Sequence, residues 1–420
     1  MENTFNAKYN RFFYFFFYSG WAAIWIASLF RHTKAFLWTG DILLFISLVC
    51  LIKSNRLNIF SLSKILSILL GLFLICLLWF VIISPYPSAS LEAFLLNYFF
   101  HISLFFLVLI IILISNSISF IFWLIPCIAI IASIVYDFSF VFITCNLNLT
   151  CALKSGLYLL NSHNSIFKGL VITSPVYMFG FFIFLGLFLK STGYKKLIFG
   201  VTSLSSLLAM LWLGRRAALL GCFIAFIILL FLSKKKSLKI LSLGILLVLI
   251  IVTIAVLNSP YGKDILIRSD NVQLLFSGEY EKFDEAGSLG QRLYVWPKYF
   301  KKALEHPFSG TGIARRVQKR VLSTTELGAP LEHSHNLFLN LWLQAGLHTS
   351  LVFLTFYLLS FYKCYNLWKF SGEDYFIGGL LLFLIGFFIM SFFEGLEEGT
   401  RFTTFWIANG LAWGYAQKRS

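Results

Sequence analysis

Charge is what this sequence has least of. Of its 420 residues only 12% are charged, whereas 59% are hydrophobic and 19% aromatic, and the mean hydropathy is +0.83. A soluble globular domain carries roughly a quarter charged residues. A chain this poor in charge cannot cover a water-facing surface. Composition therefore excludes a soluble protein and leaves a polytopic membrane protein. Acidic residues are scarcer still: 18 stand against 34 Lys and Arg, for a formal net charge of +16. In a membrane protein such an excess reflects topology and contact with anionic membrane lipids; no nucleic-acid module is visible, and no nucleic-acid partner is expected. Internal repeats and low-complexity tracts are missing too, apart from richness in phenylalanine (49 residues). Met1 to Arg11 is polar and leads into an apolar run with no small-residue cleavage site, so no cleavable signal is expected.

Cysteines are few and unclustered. Of the seven, Cys50, Cys76, Cys127, Cys222 and Cys364 lie in or at the ends of apolar segments and read as small interior residues. No CxxC and no Cys/His cluster is present, so no metal site is expected. Cys145 and Cys151 differ, because they stand six apart in the polar stretch "TCNLNLTCALK". They are able to pair if that stretch faces an oxidising compartment; spacing alone leaves the matter open.

What the sequence does have is apolar runs of about 17–25 residues, the length of a membrane span. They fall near 12–30, 36–52, 64–84, 92–115, 117–136, 165–189, 197–213, 217–233, 239–257, 335–362, 375–393 and 402–417, about twelve in all. Lysine and arginine set the orientation. Lys8 and Arg11, Lys53 with Arg56 and Lys64, Lys190 with Lys195 and Lys196, "SKKKSLK" at 233–239, Lys363 with Lys369, and Lys418 with Arg419 all fall on one side if the count holds. That side is read as cytoplasmic, with both termini on it. The expected architecture is all-α: spans 1–9 over residues 1–257, one large external loop over 258–334, and spans 10–12 over 335–420. Within the loop, Leu293, Trp296, Phe300 and Leu304 recur at helical steps, so it is expected to contain amphipathic helix, with Pro297 bending or beginning it.

The opposite side also receives "SPYPSAS" (84–90), the 137–164 stretch, Arg215 and Arg216, and "EGLEEGTR" (394–401). Arg215 and Arg216 interrupt a long apolar stretch. They are either snorkelling residues of a tight turn or an anion-holding pair, for which the guanidinium fork suits phosphate oxygens. Arg292 opens the amphipathic stretch, where the helix macrodipole disfavours a cation. It is either a solvated arginine or a second arm on the same anion. In "HPFSGTGIARR" the glycines at 310 and 312 mark an ordinary turn or a backbone cradle for phosphate. The run Arg315, Arg316, Lys319 and Arg320 touches lipid headgroups or a phosphorylated acceptor. His333 and His335 precede an apolar helix for which Asn336 is the natural cap. A neutral imidazole there can take a proton from an alcohol, and nearby arginines favour its neutral form. His163 is a candidate to line the same cavity. His101, inside the fourth run, reads as a hydrogen-bonded interior group. Glu394, Glu397, Glu398 and Arg401 read as local ion pairs, with Glu394 also a candidate to hold a sugar hydroxyl or orient an arginine.

Arg216–Ala217 after a long apolar run, "SLGQRLYVW…LEHPFSGTGI" in the large loop, and "HSHNLFLNLWLQAGL" opening the next span occur here in one order. In that order the chain resembles the O-antigen ligase and polymerase superfamily of bacterial envelope glycosyltransferases, with a GT-C-like layout. His335, Asn336 and Gly346 match the pattern; Thr349 stands where a second glycine is usual. The resemblance covers roughly residues 160–410 in layout and is sharp only over 214–217 and 288–346. It implies an inner-membrane enzyme with its active site facing the periplasm. Arg216, with Arg215 as its rival, and Arg292 would hold the diphosphate of an undecaprenyl-linked glycan donor. His335 would be the general base for a hydroxyl of the lipid A-core acceptor, with inversion at the anomeric carbon and neither a metal nor another cofactor. A polymerase of the same superfamily shares this chemistry. A flippase or transporter would instead place charges near the midplane of several spans, and a structural membrane protein would make the Arg/His constellation accidental.

Overall fold

The computed structural model describes residues 2–29, 34–53, 63–114, 119–149, 151, 174–213, 215–258, 287–313, 317, 334–396 and 399–419. Among them regular structure is entirely helical. In chain order the helices are α1 (Glu2–Leu29), α2 (Lys34–Lys53), α3 (Lys64–Ile82), α4 (Pro87–Phe94), a π-helical turn (Leu95–Phe99) and α5 (Phe100–Ile114). There follow α6 (Phe120–Thr144), α7 (Ser174–Lys190), α8 (Gly193–Trp212), α9 (Arg216–Leu232), α10 (Lys236–Asn258) and α11 (Gly287–Glu305). The last are α12 (Leu337–Phe370), α13 (Tyr375–Ser391), a 3₁₀ turn (Gly399–Phe402) and α14 (Thr403–Arg419). Without water in the hydrocarbon region a backbone must satisfy its own hydrogen bonds, which is why a chain of this composition folds as helices.

Five of these are long and apolar enough to cross a membrane: Lys64–Ile82, Pro87–Leu113, Phe120–Thr144, Gly193–Trp212 and Leu337–Phe370. Five shorter apolar helices accompany them: Phe12–Ala27, Trp38–Ser47, Ser174–Lys190, Arg216–Leu232 and Tyr375–Ser391. Two boundaries differ from the sequence reading. The run near 117–136 continues as α6 to Thr144, so the first residues expected in an external stretch, Asp137 among them, are helical. Apolar residues continue there to Ile143.

The second difference is the run near 335–362. It is no continuous span, because α12 breaks at Ala345 (φ −135°, ψ 20°) and Gly346 (φ 78°, ψ 161°). An unbroken helix of 34 residues would measure about 51 Å, well over the roughly 30 Å hydrocarbon layer. The break leaves a short leading piece over 337–344 and a longer one over 347–370.

Helices α7, α13 and α14 are buried along almost their whole length, as expected for helices apolar on every side. Packing of α13 against α9 is backbone to backbone. A Cβ on Gly221 would lie 2.5 Å from the Gly386 carbonyl oxygen, and one on Gly186 would lie 2.6 Å from that of Tyr375 where α7 meets α13. Small residues allow this approach, and close packing rather than water exclusion holds helices together in lipid. The interior histidine behaves as its surroundings dictate: His101 Nδ1–H donates to the Asn97 carbonyl at 2.9 Å, so Nε2 accepts from the Thr403 hydroxyl at 3.1 Å.

The two ends of the bundle differ in chemistry. At one end Lys190 pairs with Asp374 at 2.6 Å, and Asp374 caps α13 through the amides of Phe376 and Ile377. Beside it the buried Glu373 (5% exposed) accepts from the Ser233 hydroxyl, from the amides of Lys234 and Lys235 at 2.7 and 3.1 Å, and from Lys369 at 3.3 Å. Lysines from α7, from the α9–α10 turn and from α12 thus converge at one level, as the orientation argument requires. Burial pushes the Glu373 carboxyl up, but these donors outweigh it and hold it down at about 2. A depressed carboxyl adds stability above its unfolded value of 4.5 and loses it as pH falls through the folded value. The melting temperature of the purified protein should therefore fall more steeply between about pH 5 and 2 in wild type than in Glu373→Gln, whose melting temperature starts lower at neutral pH.

Candidate functional site

At the opposite end the helices deliver arginines instead of lysines. The turn after α8 leaves the helix at Leu213, and Arg215 occupies the N-cap position of α9 (φ −74°, ψ 75°), with its amide bonded back to the Met210 carbonyl at 3.1 Å. An arginine supplies no capping oxygen, so its guanidinium is free to point elsewhere. Arg215 is half-buried and its Nε has no hydrogen-bond partner. Burial lowers its pKa to about 10, Glu394 raises it, and Arg401 lowers it; the group stays charged at neutral pH. Arg216, the first residue of α9, is exposed.

Arg292 stands in the first turns of α11. Its Nη2 lies 3.9 Å from Glu394 Oε1. Burial lowers its pKa, Glu394 raises it, and Arg216 lowers it. Glu394 itself sits on the turn that ends α13, and Arg401 Nη1 donates to the Gly395 carbonyl of that turn at 3.2 Å. Arg215 and Arg292, remote in sequence, therefore both feel Glu394, and each feels a further guanidinium, Arg401 for Arg215 and Arg216 for Arg292. Of the Arg215–Arg216 pair, Arg215 is half-buried and Arg216 exposed.

His335 lies on the turn that begins α12. Its backbone is left-handed (φ 52°), a conformation in which histidine is enriched among non-glycine residues. Ser334 before it donates from its amide and hydroxyl to Asn340 Oδ1 at 3.2 and 2.6 Å. Asn336 after it caps the helix by accepting from the Leu339 amide at 3.0 Å, as its position predicted. The Asn336 side-chain oxygen is thus engaged in the backbone. The turn is tied to α11 by Trp296, whose indole N–H donates to the Ser334 carbonyl at 2.7 Å. Trp296 follows Arg292 by one helical turn on the same face, a rise of about 6 Å, and its ring meets that of Phe393, next to Glu394, at 6.3 Å. One side chain thereby brackets the His335 turn, the Arg292 face and the Glu394 turn.

In the glycine-rich stretch two of the amides serve a neighbouring helix. Where α12 breaks, the carbonyls of Leu343 and Gln344 lose their helical partners. The Thr311 amide takes the first at 2.7 Å and the Gly312 amide takes the second at 3.1 Å. The Leu347 amide donates in turn to the Pro307 carbonyl at 2.8 Å, and Trp342 Nε1–H reaches the same oxygen at 3.2 Å. Residues 307–313 plug the break, and the Thr311 and Gly312 amides are spent on protein. The short piece of α12 carrying His335 is positioned from both ends as a result.

His163, His333, Arg315, Arg316, Lys319, Arg320, Glu397 and Glu398 lie outside the described residues. Among the described residues no group of three His, Cys, Asp or Glu is arranged to hold a metal. Cys145 and Cys151 form a disulfide, Cα–Cα 5.7 Å, at the end of α6 that shares its side of the bundle with the arginines: Phe138 of α6 meets Trp212 at the end of α8, 5.6 Å between rings. Sequence reasoning read Arg401 only as a local ion-pair member and Trp296 only as part of an apolar stripe. The one-turn spacing of Trp296 from Arg292 was the signal for the second; nothing in sequence linked Arg401 to Arg215.

Chemically, an excess of guanidinium charge suits binding of a polyanion, and an imidazole on a held turn suits a proton acceptor. No curated protein matches the chain. Residues 201–354 of this multi-pass membrane protein, the stretch that holds Arg215, Arg216, Arg292, His335 and Gly346, match the model of the family described as O-antigen ligase.

Proposed function

We propose that the protein is an O-antigen ligase that transfers a glycan from an undecaprenyl diphosphate donor to a sugar hydroxyl of lipid A-core. What supports this reading is that Arg215 and Arg292 both feel Glu394, while Trp296, one turn from Arg292, holds the Ser334 carbonyl next to His335. His335 takes the proton of the acceptor hydroxyl as that oxygen attacks the anomeric carbon from the side opposite the diphosphate. The new C–O bond forms while the anomeric carbon–phosphate oxygen bond breaks, its electron pair leaving with the lipid diphosphate. The configuration inverts. Negative charge grows on the leaving oxygen, and the arginines stabilise it more in the transition state than in the donor.

Two independent features support a periplasmic position for this end. Disulfides persist in oxidising compartments, and Cys145–Cys151 is at the arginine end. Lysine clusters mark the cytoplasmic side, and Lys190, Lys235 and Lys369 gather at the other. The diphosphate donor is itself activated, so the reaction needs no nucleotide in a compartment that lacks one.

The test is reconstitution of the purified protein in liposomes with lipid-linked glycan and lipid A-core, with and without chelator. Wild type should form conjugate under both conditions, and Arg292→Ala should form about a hundredth as much or less, the loss expected of one transition-state donor. Elongated lipid-linked glycan with no conjugate would replace this reading by that of a polymerase; conjugate at wild-type rate from Arg292→Ala would remove that residue from the site.

A further inference from the structure

We propose that Glu394 is the resting counter-ion of the arginine cluster and that an arriving diphosphate displaces it. The inference rests on the reading of the cluster as a diphosphate site. Among the described residues, Arg292 and Arg215 both feel this one carboxylate, and each also feels a further guanidinium, Arg216 and Arg401 respectively. Such a set repels itself when empty, and a single negative charge at its centre lowers that repulsion.

The attachment of Glu394 is that of a replaceable group. Its closest ion-pair distance, 3.9 Å to Arg292, is about 1 Å longer than a charge-assisted hydrogen bond. Its side chain is still 23% exposed. It stands on a turn rather than within a helix, and the turn does not depend on it, because the Arg401 guanidinium holds the Gly395 carbonyl instead. The carboxylate is therefore able to swing aside while its backbone stays in place. Arg401 acts as a positioning residue for this turn, and its charge is felt by Arg215.

Two like-charged groups cannot share the site: a diphosphate entering among these arginines meets the Glu394 carboxylate and expels it. Glu394 thereby weakens diphosphate binding in the empty protein, and its neutral isostere should bind more tightly.

The experiment titrates inorganic pyrophosphate into detergent-purified protein by calorimetry at low salt. Glu394→Gln is expected to bind at least about tenfold tighter than wild type, and Glu394→Asp, which keeps the charge, should stay near wild type. In the conjugate assay, Glu394→Gln should lower the donor KM rather than raise kcat. Equal or weaker pyrophosphate binding by folded Glu394→Gln overturns the proposal. Glu394→Ala is measured alongside with the same expected sign; if neither neutral variant folds, Glu394 is a structural part of the turn and the proposal fails. Arg292→Ala separates the two levels. If it binds pyrophosphate as well as wild type does, the diphosphate reading itself is wrong, whatever Glu394 does.

Discussion

His335→Asn should lose about 10²–10⁴ of the glycan-transfer rate while folding and inserting as wild type does. The loss is that of a general base held where the acceptor proton departs. Asparagine is the informative replacement because of the backbone. His335 has φ 52°, and asparagine tolerates the left-handed region better than almost any other residue apart from glycine. Alanine would combine removal of the imidazole with a backbone cost of about 1 kcal/mol, so lost activity would have two explanations. The turn itself is secured by Ser334, Asn336, Asn340 and Trp296, none of which bonds through the imidazole. An unchanged melting temperature with transfer at or below about a hundredth of wild type is the expected pair of readings. Transfer above half the wild-type rate from folded His335→Asn would remove the base from the mechanism and leave the arginines to account for catalysis.

Gly310→Ala is expected to destabilise the protein by about 3 kcal/mol or more, through contact rather than chemistry. Gly310 has φ 57°, and a Cβ there would lie 2.5 Å from the Gln344 carbonyl oxygen and 2.9 Å from the Ala345 amide nitrogen. Both are backbone atoms at the break of α12, so no side chain can turn out of the way. To admit the methyl group, residues 307–313 must back out of the break. That removes their bonds to the Leu343 and Gln344 carbonyls and leaves buried acceptors unpaired, at about 1–3 kcal/mol each. Gly372 supplies the control. Its φ of 65° is similar, but nothing lies within 4 Å of an added Cβ, so Gly372→Ala should cost only the backbone preference, about 1 kcal/mol. Thermal melting in detergent measures both. Equal shifts for the two variants would mean that the plug does not support α12. Because the short leading piece of α12 carries His335, Gly310→Ala should also depress transfer in the fraction that stays folded.

These two cases show where sequence was informative and where it was not. The apolar runs, the lysine pattern and the Asn336 cap were legible because each is local: a span, a flanking charge and an N-cap are written in consecutive residues. Arg215, Arg216, Arg292 and His335 were legible as candidates because cations and imidazoles stand out against an apolar background. The glycines at 310 and 312 were equally visible, yet their partners were not. Whether a turn's amides face a phosphate or a neighbouring helix depends on what is packed against them, and the break at Ala345–Gly346 was hidden inside an unbroken run of apolar letters. Arg401 and Trp296 escaped for the same reason, since a salt-bridge neighbour or an indole–carbonyl bond is a relation between elements.

By itself, then, the chain's chemistry determined a membrane-spanning helical bundle, the side on which lysines gather, and the residue types available for holding an anion and moving a proton. Only the folded arrangement decided that Arg215 and Arg292 share one glutamate, that Trp296 joins the histidine turn to the Arg292 helix, and that the glycine stretch repairs a broken helix. Composition and periodicity act over a few residues at a time, whereas these contacts join positions tens to nearly two hundred residues apart, and close packing of whole helices is what brings them within reach.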